Sequence, residues 1–355
     1  MKVALDATPL TLSSGGIARY VRELSRALAE EFPGDEFVLI SDQPFETPPA
    51  STGNLLRGSG PRNCLERRWW LWGVEREMSR CGAEVFHGTH FTVPWLPLRP
   101  SVMTLHDLSP WRDPAWQPGA RFVRRRAPCL IGLDLAGMII THTEAVRGEA
   151  IEHFRLRPDR VHAVPLAAAE HFRPVRLSSA PAPYFLYVGA LEPRKNLDTL
   201  LEAWRGVRRR HAIELRLAGR VRNDFVPPVA EPGLRLLGEV PEDDLPGLYS
   251  GAVACLYPSL YEGFGLPVLE AMQCGALVLA SRTPAIAEVA GGAALLLEAR
   301  DVRAWTEAMN AAVTRAESLA ALRSAALKRA RMYCWARTAR LTYSVYAEAL
   351  RRFRG

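Results

Sequence analysis

Two glutamates close the run Glu262-Gly263-Phe264-Gly265-Leu266-Pro267-Val268-Leu269-Glu270. Paired carboxylates can share acid–base work, or each can accept hydrogen bonds from neighbouring hydroxyls of a sugar or a ribose. The residues between them bear on the choice. Two glycines let backbone N–H groups come close to a ligand, and Pro267 suits the first turn of a helix, where its missing N–H costs nothing. A helix N-terminus offers free N–H donors and partial positive charge, which attract a phosphate. Glu262 precedes that helix and Glu270 lies one turn inside it, so the two need not act on the same atom. A plain turn with an acidic residue complementing the helix dipole is the rival reading.

The second segment is Gly189-Ala190-Leu191-Glu192-Pro193-Arg194-Lys195-Asn196. It joins a strand-like run to a helix-like one and sets two cations at the helix start. Cations there oppose the helix dipole, and an anion held between them and the helix would remove the conflict. Lys195 is one of only three lysines among 45 basic residues, and a compact point charge suits a diphosphate. Gly15-Gly16, after Ser13-Ser14, opens another helix-like stretch; alone it reads equally well as a turn. His106, in Thr104-Leu105-His106-Asp107, ends a strand-like run and can titrate or donate near neutral pH. Cys81, His87 and His90 lack a usual metal spacing, and no Asp-x-Asp pair is present, so no metal site is expected. The chain has no G-x-S-x-G elbow, no P-loop sequence and no G-x-G-x-x-G fingerprint, which disfavours a nicotinamide dehydrogenase.

These loops need a scaffold. Apolar runs at Lys2–Asp6, Glu36–Ser41, Glu84–Phe86, Ser101–Leu105 and Gly137–Ile140 alternate with helical periodicity, as in Ile17, Tyr20, Val21, Leu24 and Leu28. That alternation predicts a parallel sheet with helices on both faces. After a Pro-rich break at 173–183 the pattern restarts. Strands are expected at Tyr184–Val188, Ile213–Ala218, Leu234–Leu236, Val253–Tyr257 and Val278–Leu279. Helices are expected at Leu197–Arg209, with Asn196 as N-cap, and at Leu266–Cys274. The reading is thus α/β with two halves: residues 1–174 and 175–337, with a last helix of about 338–355 docking back on the first. In such sheets ligands sit beyond the carboxyl ends of the strands. The segments above, together with Thr141–Glu144 and Gly219-Arg220, all lie there, and they would line a cleft if the halves face one another.

Composition is ordinary for a globular protein, 48% apolar and 23% charged. No apolar run is long enough to span a membrane, and Met1–Asp6 does not resemble a signal peptide, so a cytoplasmic location is expected. The six scattered cysteines form no C-x-x-C pair. The net charge is +7, clustered at Arg121–Arg126, Arg205–Arg210, Arg323–Arg331 and Arg351–Arg354. These clusters read either as solvated helix faces or as a surface resting on anionic membrane. Leu65-Glu66-Arg67-Arg68-Trp69-Trp70-Leu71-Trp72 reads either as an acceptor or lipid contact or as a core-facing helix with an arginine edge. A nucleic-acid-binding protein would need one basic stripe interleaved with aromatics, and the clusters are dispersed, so no nucleic-acid partner is expected.

Taken in order, these segments resemble the retaining glycosyltransferases of family four, which have the GT-B fold of two Rossmann-like domains facing across a cleft. The paired-glutamate segment with its Gly-Phe-Gly is the specific element. The Gly-Gly loop, the His-Asp strand end, Pro165–Pro174, Gly189–Asn196, Leu237–Pro241 and Ala287-Glu288-Val289 add motif order across nearly the whole chain. The likeness is to bacterial mannosyltransferase-like members that build polysaccharide or lipopolysaccharide O-chains. It implies a hexose donor, GDP-mannose favoured over a UDP-sugar, and a glycan or polyprenyl-diphosphate-linked glycan acceptor, with no further cofactor. It also implies roles. Lys195 and Arg194 would hold the donor diphosphate. Glu262 and the Gly263-Phe264-Gly265-Leu266 backbone would meet the donor sugar, and Glu270 the ribose. Val240 would lie near the base, Gly15, Gly16 and Gly189 would admit the donor, and His106 would sit by the transferred sugar. Many members carry arginine directly after the glycine matching Gly189; here that residue is Ala190, which leaves Arg194 to supply the charge. A sugar-nucleotide epimerase of the same architecture is the enzymatic alternative, and would release a sugar isomer without an acceptor.

Overall fold

The computed structural model describes residues 1–11, 15–177 and 182–354. Ser13-Ser14 and the 178–181 part of the Pro-rich break lie outside the described residues. The chain forms two compact units, Met1–Leu166 with Cys334–Gly355, and Ala167–Tyr333. The division falls ahead of the Pro-rich stretch rather than within it. Packing explains why: Phe172 meets Tyr249 edge-on at 6.0 Å, and Val175 N donates to Ser250 Oγ at 3.0 Å, so both belong with the second unit.

In the first unit β1 (Lys2–Asp6), β2 (Glu36–Ile40), β3 (Leu55–Arg57), β4 (Val85–Gly88), β5 (Ser101–Thr104), β6 (Met138–Thr141) and β7 (Val161–Ala163) form one sheet. Its order is β3-β2-β1-β4-β5-β6-β7, parallel throughout. The second unit holds β8 (Tyr184–Val188), β9 (Glu214–Ala218), β10 (Leu234–Gly238), β11 (Ala254–Tyr257), β12 (Val278–Ser281) and β13 (Leu295–Leu297). Its order is β10-β9-β8-β11-β12-β13, also parallel.

Interior strands are continuous apolar runs because both faces are covered. On one face of the first sheet Ala4, Val38, Phe86, Met103 and Ile139 pack with Val74, Met78, Ala127 and Leu130. The helices Gly16–Glu31 and Trp335–Arg354 cover the other face, where polar groups meet. Tyr346 Oη lies 2.6 Å from His87 Nδ1, His87 Nε2 lies 2.8 Å from Thr104 Oγ1, and Tyr20 Oη lies 3.0 Å from the same hydroxyl. Phe32 stacks on Tyr343 at 3.8 Å. Burial on this face is thus bonded burial, as buried polar groups require. Among the described residues no helix is long and apolar enough to cross a membrane.

The strands flanking β1 run outward in opposite directions along the sheet, and the same is true around β8. Each unit therefore has a switch point, between β1 and β4 and between β8 and β11, where such sheets bind ligands.

Candidate active site

Two loops leave the switch point of the second unit, 189–196 after β8 and 258–265 after β11. The start of the first is tight. A Cβ on Gly219, at the end of β9, would stand 2.0 Å from the Gly189 carbonyl oxygen, so only glycine permits that approach. The two loops are tied together by backbone and side chain. Leu260 N donates to the Arg194 carbonyl at 2.9 Å, and Arg194 Nη1 donates to the Tyr261 carbonyl at 2.7 Å.

This stitching gathers Arg194, Lys195 and Glu262. Lys195 Nζ lies 2.5 Å from Glu262 Oε1, and Arg194 Nη1 lies 3.1 Å from Oε2. Burial alone would raise the pKa of Glu262; Lys195 and then Arg194 overturn it and hold the carboxyl at about 2. Arg194 is itself fixed from behind. Its Nε and Nη2 donate to Glu192 Oε1 at 3.1 and 2.7 Å, and Arg222 Nη1 donates to Glu192 Oε2 at 3.1 Å.

Asn196 stands at the N-cap of the helix Leu197–Arg208, but the expected capping bond is not made. The residue is left-handed, with φ 55°, a conformation asparagine tolerates. Its Nδ2 instead donates to the Pro258 and Ala299 carbonyls at 3.0 and 2.6 Å, so Asn196 joins loops rather than starting a helix.

The helix Leu266–Gln273 begins after Gly265, whose φ is 90°. Gly263 and Phe264 are buried and Leu266 is half-buried. The Phe264 ring packs edge-on against Tyr333 at 5.8 Å. Glu270 is 1% exposed, and the Tyr249 hydroxyl donates to its Oε2 at 2.9 Å. The two glutamates thus have different surroundings, one ion-paired between loops and one inside the unit. Val240, half-buried, follows β10.

In the first unit Gly15 has φ 121°, and a Cβ on Gly15 or Gly16 would meet no protein atom within 4 Å among the described residues. Both ring nitrogens of His106 are engaged. Nε2 faces the Thr89 carbonyl at 2.8 Å, and Nδ1 faces His142 Nε2 at 2.9 Å. A carbonyl only accepts, so His106 Nε2 carries its proton. His142 Nδ1 likewise faces the Val164 carbonyl at 3.2 Å, so the facing His106 Nδ1 and His142 Nε2 are both acceptors while the rings are neutral. Burial, then the neighbouring histidines, push the His106 pKa far down, and burial takes His142 to about 4. A neutral ring whose one proton is held by a backbone carbonyl positions other groups more readily than it shuttles a proton. His142, Glu192 and Arg222 carry this bonding, and sequence reading singled out none of them. His142 lies in a strand end already worth inspecting, whereas Glu192 and Arg222 meet only in the folded chain.

The models of "Glycosyltransferase Family 4" and "Glycosyl transferases group 1" match residues 14–168 and 182–315. The O-antigen chain mannosyltransferase B of Escherichia coli is 31% identical over 337 residues, covering 86% of this chain and 88% of that one. The chain belongs to glycosyltransferase family four. Among solved structures this glycosyltransferase shares its fold with sucrose-phosphate synthase from Thermosynechococcus elongatus, at TM-score 0.78 and 19% identity over 98% of both chains. It also shares it with Anabaena HepE, solved with UDP-glucose, at TM-score 0.73 and 15% identity over 98% of this chain and 100% of that one. The fold is GT-B. In the glycosyltransferase, then, a cation pair of buried Arg194 and half-buried Lys195 and a helix N-terminus converge at one switch point, an arrangement that can hold and stabilise a phosphorylated leaving group.

Proposed function

We propose that this glycosyltransferase moves a hexose, mannose favoured, from a nucleotide-diphosphate sugar to a glycan or polyprenyl-diphosphate-linked glycan during cell-surface polysaccharide synthesis. The observation that carries the donor reading is the Arg194–Lys195–Glu262 cluster beside the Leu266–Gln273 helix start. The mannose preference rests on the Escherichia coli relative. GDP-mannose is the favoured donor, with UDP-sugars second; HepE was solved with one.

In this reading the donor diphosphate takes the place that Glu262 holds against Lys195 and Arg194. Glu262, released, accepts hydrogen bonds from sugar hydroxyls, and Glu270 accepts from the ribose. As the C1–O bond breaks, charge grows on the diphosphate and on an oxocarbenium-like sugar. Arg194, Lys195 and the helix N–H groups stabilise the leaving charge; removing one such donor costs about 2.7–4 kcal/mol in comparable sites. The acceptor hydroxyl attacks from the leaving-group face and the departing phosphate takes its proton, so configuration is retained and no glycosyl-enzyme forms. The cations occupy the role a metal would have, and the reaction proceeds without one. Work at the inner face of the membrane, by peripheral contact with anionic lipid, follows from the lipid-linked acceptor.

A panel of nucleotide sugars scored by thermal shift tests the donor. The true donor at 100 times its dissociation constant stabilises by about 2.7 kcal/mol; a panel in which none shifts the melt removes the reading. Lys195→Ala and Glu262→Ala should abolish transfer while the fold survives, and near-wild-type turnover in either would remove the site assignment.

A further inference from the structure

The switch point of the first unit holds a cavity of about 330 Å³, walled by Asp6, His90, Thr92, Trp70, Phe122 and Arg126. Arg126 comes from the helix Arg121–Gly132 and is 7% exposed. Its guanidinium lies 4.7 Å from the Trp70 ring centre, 5.4 Å from Phe122 and 5.7 Å from Trp95. Among the described residues its one hydrogen bond is a long contact of 3.3 Å from Nη2 to the Val93 carbonyl. Its Nε has no partner, and neither have His90 Nδ1 and Thr92 Oγ1, all three atoms being buried. Burial lowers the Arg126 pKa to about 10, so the group is still a cation at neutral pH. Asp6 is the carboxylate that shares the cavity. Its Oδ1 is turned to the Thr8 N–H and hydroxyl, at 3.0 and 2.6 Å.

A buried cation without a bonded counter-ion is costly, and the cost falls when an anion pairs with it. The aromatic faces offset part of that cost. They leave three buried donor and acceptor atoms, on three residues that wall one cavity, without a partner. A neutral sugar ring would stack on Trp70 or Phe122 but would bring no charge. Phe122 also ties the cavity to the surface, being 68% exposed.

We propose that this cavity is an anion subsite for the acceptor, in which Arg126, with His90 and Thr92, takes a phosphate or diphosphate carried by the glycan or its lipid. The proposal rests on the glycosyltransferase reading above, in which the acceptor is lipid-linked, and it assigns the anchoring point of that acceptor.

The test is a thermal-shift titration with pyrophosphate on enzyme saturated with its best nucleotide, so that the donor site is filled. Methyl mannoside and glucuronate are titrated alongside. Pyrophosphate should raise the melting temperature of wild type and of Lys195→Ala, and leave Arg126→Met unmoved. Arg126→Met alone should melt no lower than wild type, because it removes an uncompensated buried charge, and its nucleotide affinity should not change. Arg126→Lys, which keeps the charge and loses the fork, should bind pyrophosphate at least tenfold more weakly. The proposal is overturned if wild type does not respond to pyrophosphate, or if Arg126→Met still does. A methyl mannoside response equal to that of pyrophosphate would make the cavity a neutral sugar subsite, and a stronger glucuronate response would place the anion on a uronate; either outcome overturns it. Failure of the donor reading looks different: Lys195→Ala would keep its turnover while the Arg126 dependence stood.

Discussion

Asp6 and Glu262 are both buried carboxylates at switch points, and they ionise at opposite ends of the range. For Asp6 desolvation wins: the Thr8 bonds do not offset it, Asp42 adds repulsion, Arg126 contributes least, and the pKa rises to about 6. For Glu262 two bonded cations win and the pKa falls to about 2. The signs give opposite linkage. Asp6 stabilises the fold below its unfolded value of about 3.9, and that contribution is lost as pH rises through about 6. Glu262 stabilises it above about 4.3, and its contribution is lost as pH falls toward about 2. Asp6→Asn keeps an acceptor for Thr8 and removes the charge. It should therefore raise the melting temperature at pH 8, by the equivalent of about 1–3 kcal/mol, and change it little at pH 4. Equal shifts at both values would show that Asp6 is not ionised against its surroundings. At this scale the chain was legible where a residue clashed with its local context. Arg194-Lys195 at a helix start asked for an anion, and the structure supplies Glu262. Arg126 offered no such clue, because one arginine in Arg124-Arg125-Arg126 looks like the next until the fold buries it.

Among the elements, the interior strands were readable because burial on both faces leaves an apolar run between turn residues. β3, β7 and β13 escaped notice. Each has three residues and lies at the end of its sheet, where one partner and an open side leave little pattern. The C-terminal helix was readable as a helix, but the reason it docks was not. Its Tyr346 hydroxyl reaches His87, 259 residues away, and burial takes that histidine down to about 3, so the pair is neutral and mutually bonded. Tyr346→Phe leaves His87 Nδ1 without its partner inside the unit, which should cost about 1–3 kcal/mol. Urea unfolding should show a lower midpoint with an unchanged slope. Tyr343→Phe should cost less, since Tyr343 is half-buried and its partner Asp35, at 2.7 Å, also pairs with the N-terminal amine. A Tyr346→Phe midpoint equal to wild type would show that the helix is held by apolar packing alone.

For the molecule as a whole, the charge of +7 is spent unevenly. Arg352 pairs with Asp159 and Arg354 with Glu84; Arg205 pairs with Glu231; Arg323 and Arg329 donate to backbone carbonyls. Three of the four arginine clusters thus hold the fold together in part, which is the solvated-face reading with bonds added. In the fourth cluster Arg124 also donates to a carbonyl, that of Gln117 at 2.9 Å, and Arg126 is buried, but its other arginines stand out. Among the described residues Arg67, Arg68, Arg121 and Arg125 are exposed and carry no ion pair, and they share their segments with exposed Leu71, Trp72 and Phe122. Within Leu65–Trp72, Trp69 is buried at 3% exposure, as the core-facing reading expects, while Trp72 faces out at 43%. Cations with amphipathic rings suit a lipid interface, and each arginine near an anionic surface is worth about 1 kcal/mol. Flotation with vesicles containing anionic lipid should therefore carry the wild-type protein at low salt, with neutral vesicles carrying far less. Raising the salt to about 0.5 M, where the screening length is only a few ångströms, should release it. Arg67→Ser with Arg68→Ser should cut the bound fraction by roughly tenfold or more, as two lost contacts of that size require. The same two changes at Arg352 and Arg354, already paired within the fold, should leave flotation unchanged. Equal loss from both pairs would mean that net charge, not this patch, does the binding, and no flotation with either vesicle would end the membrane proposal.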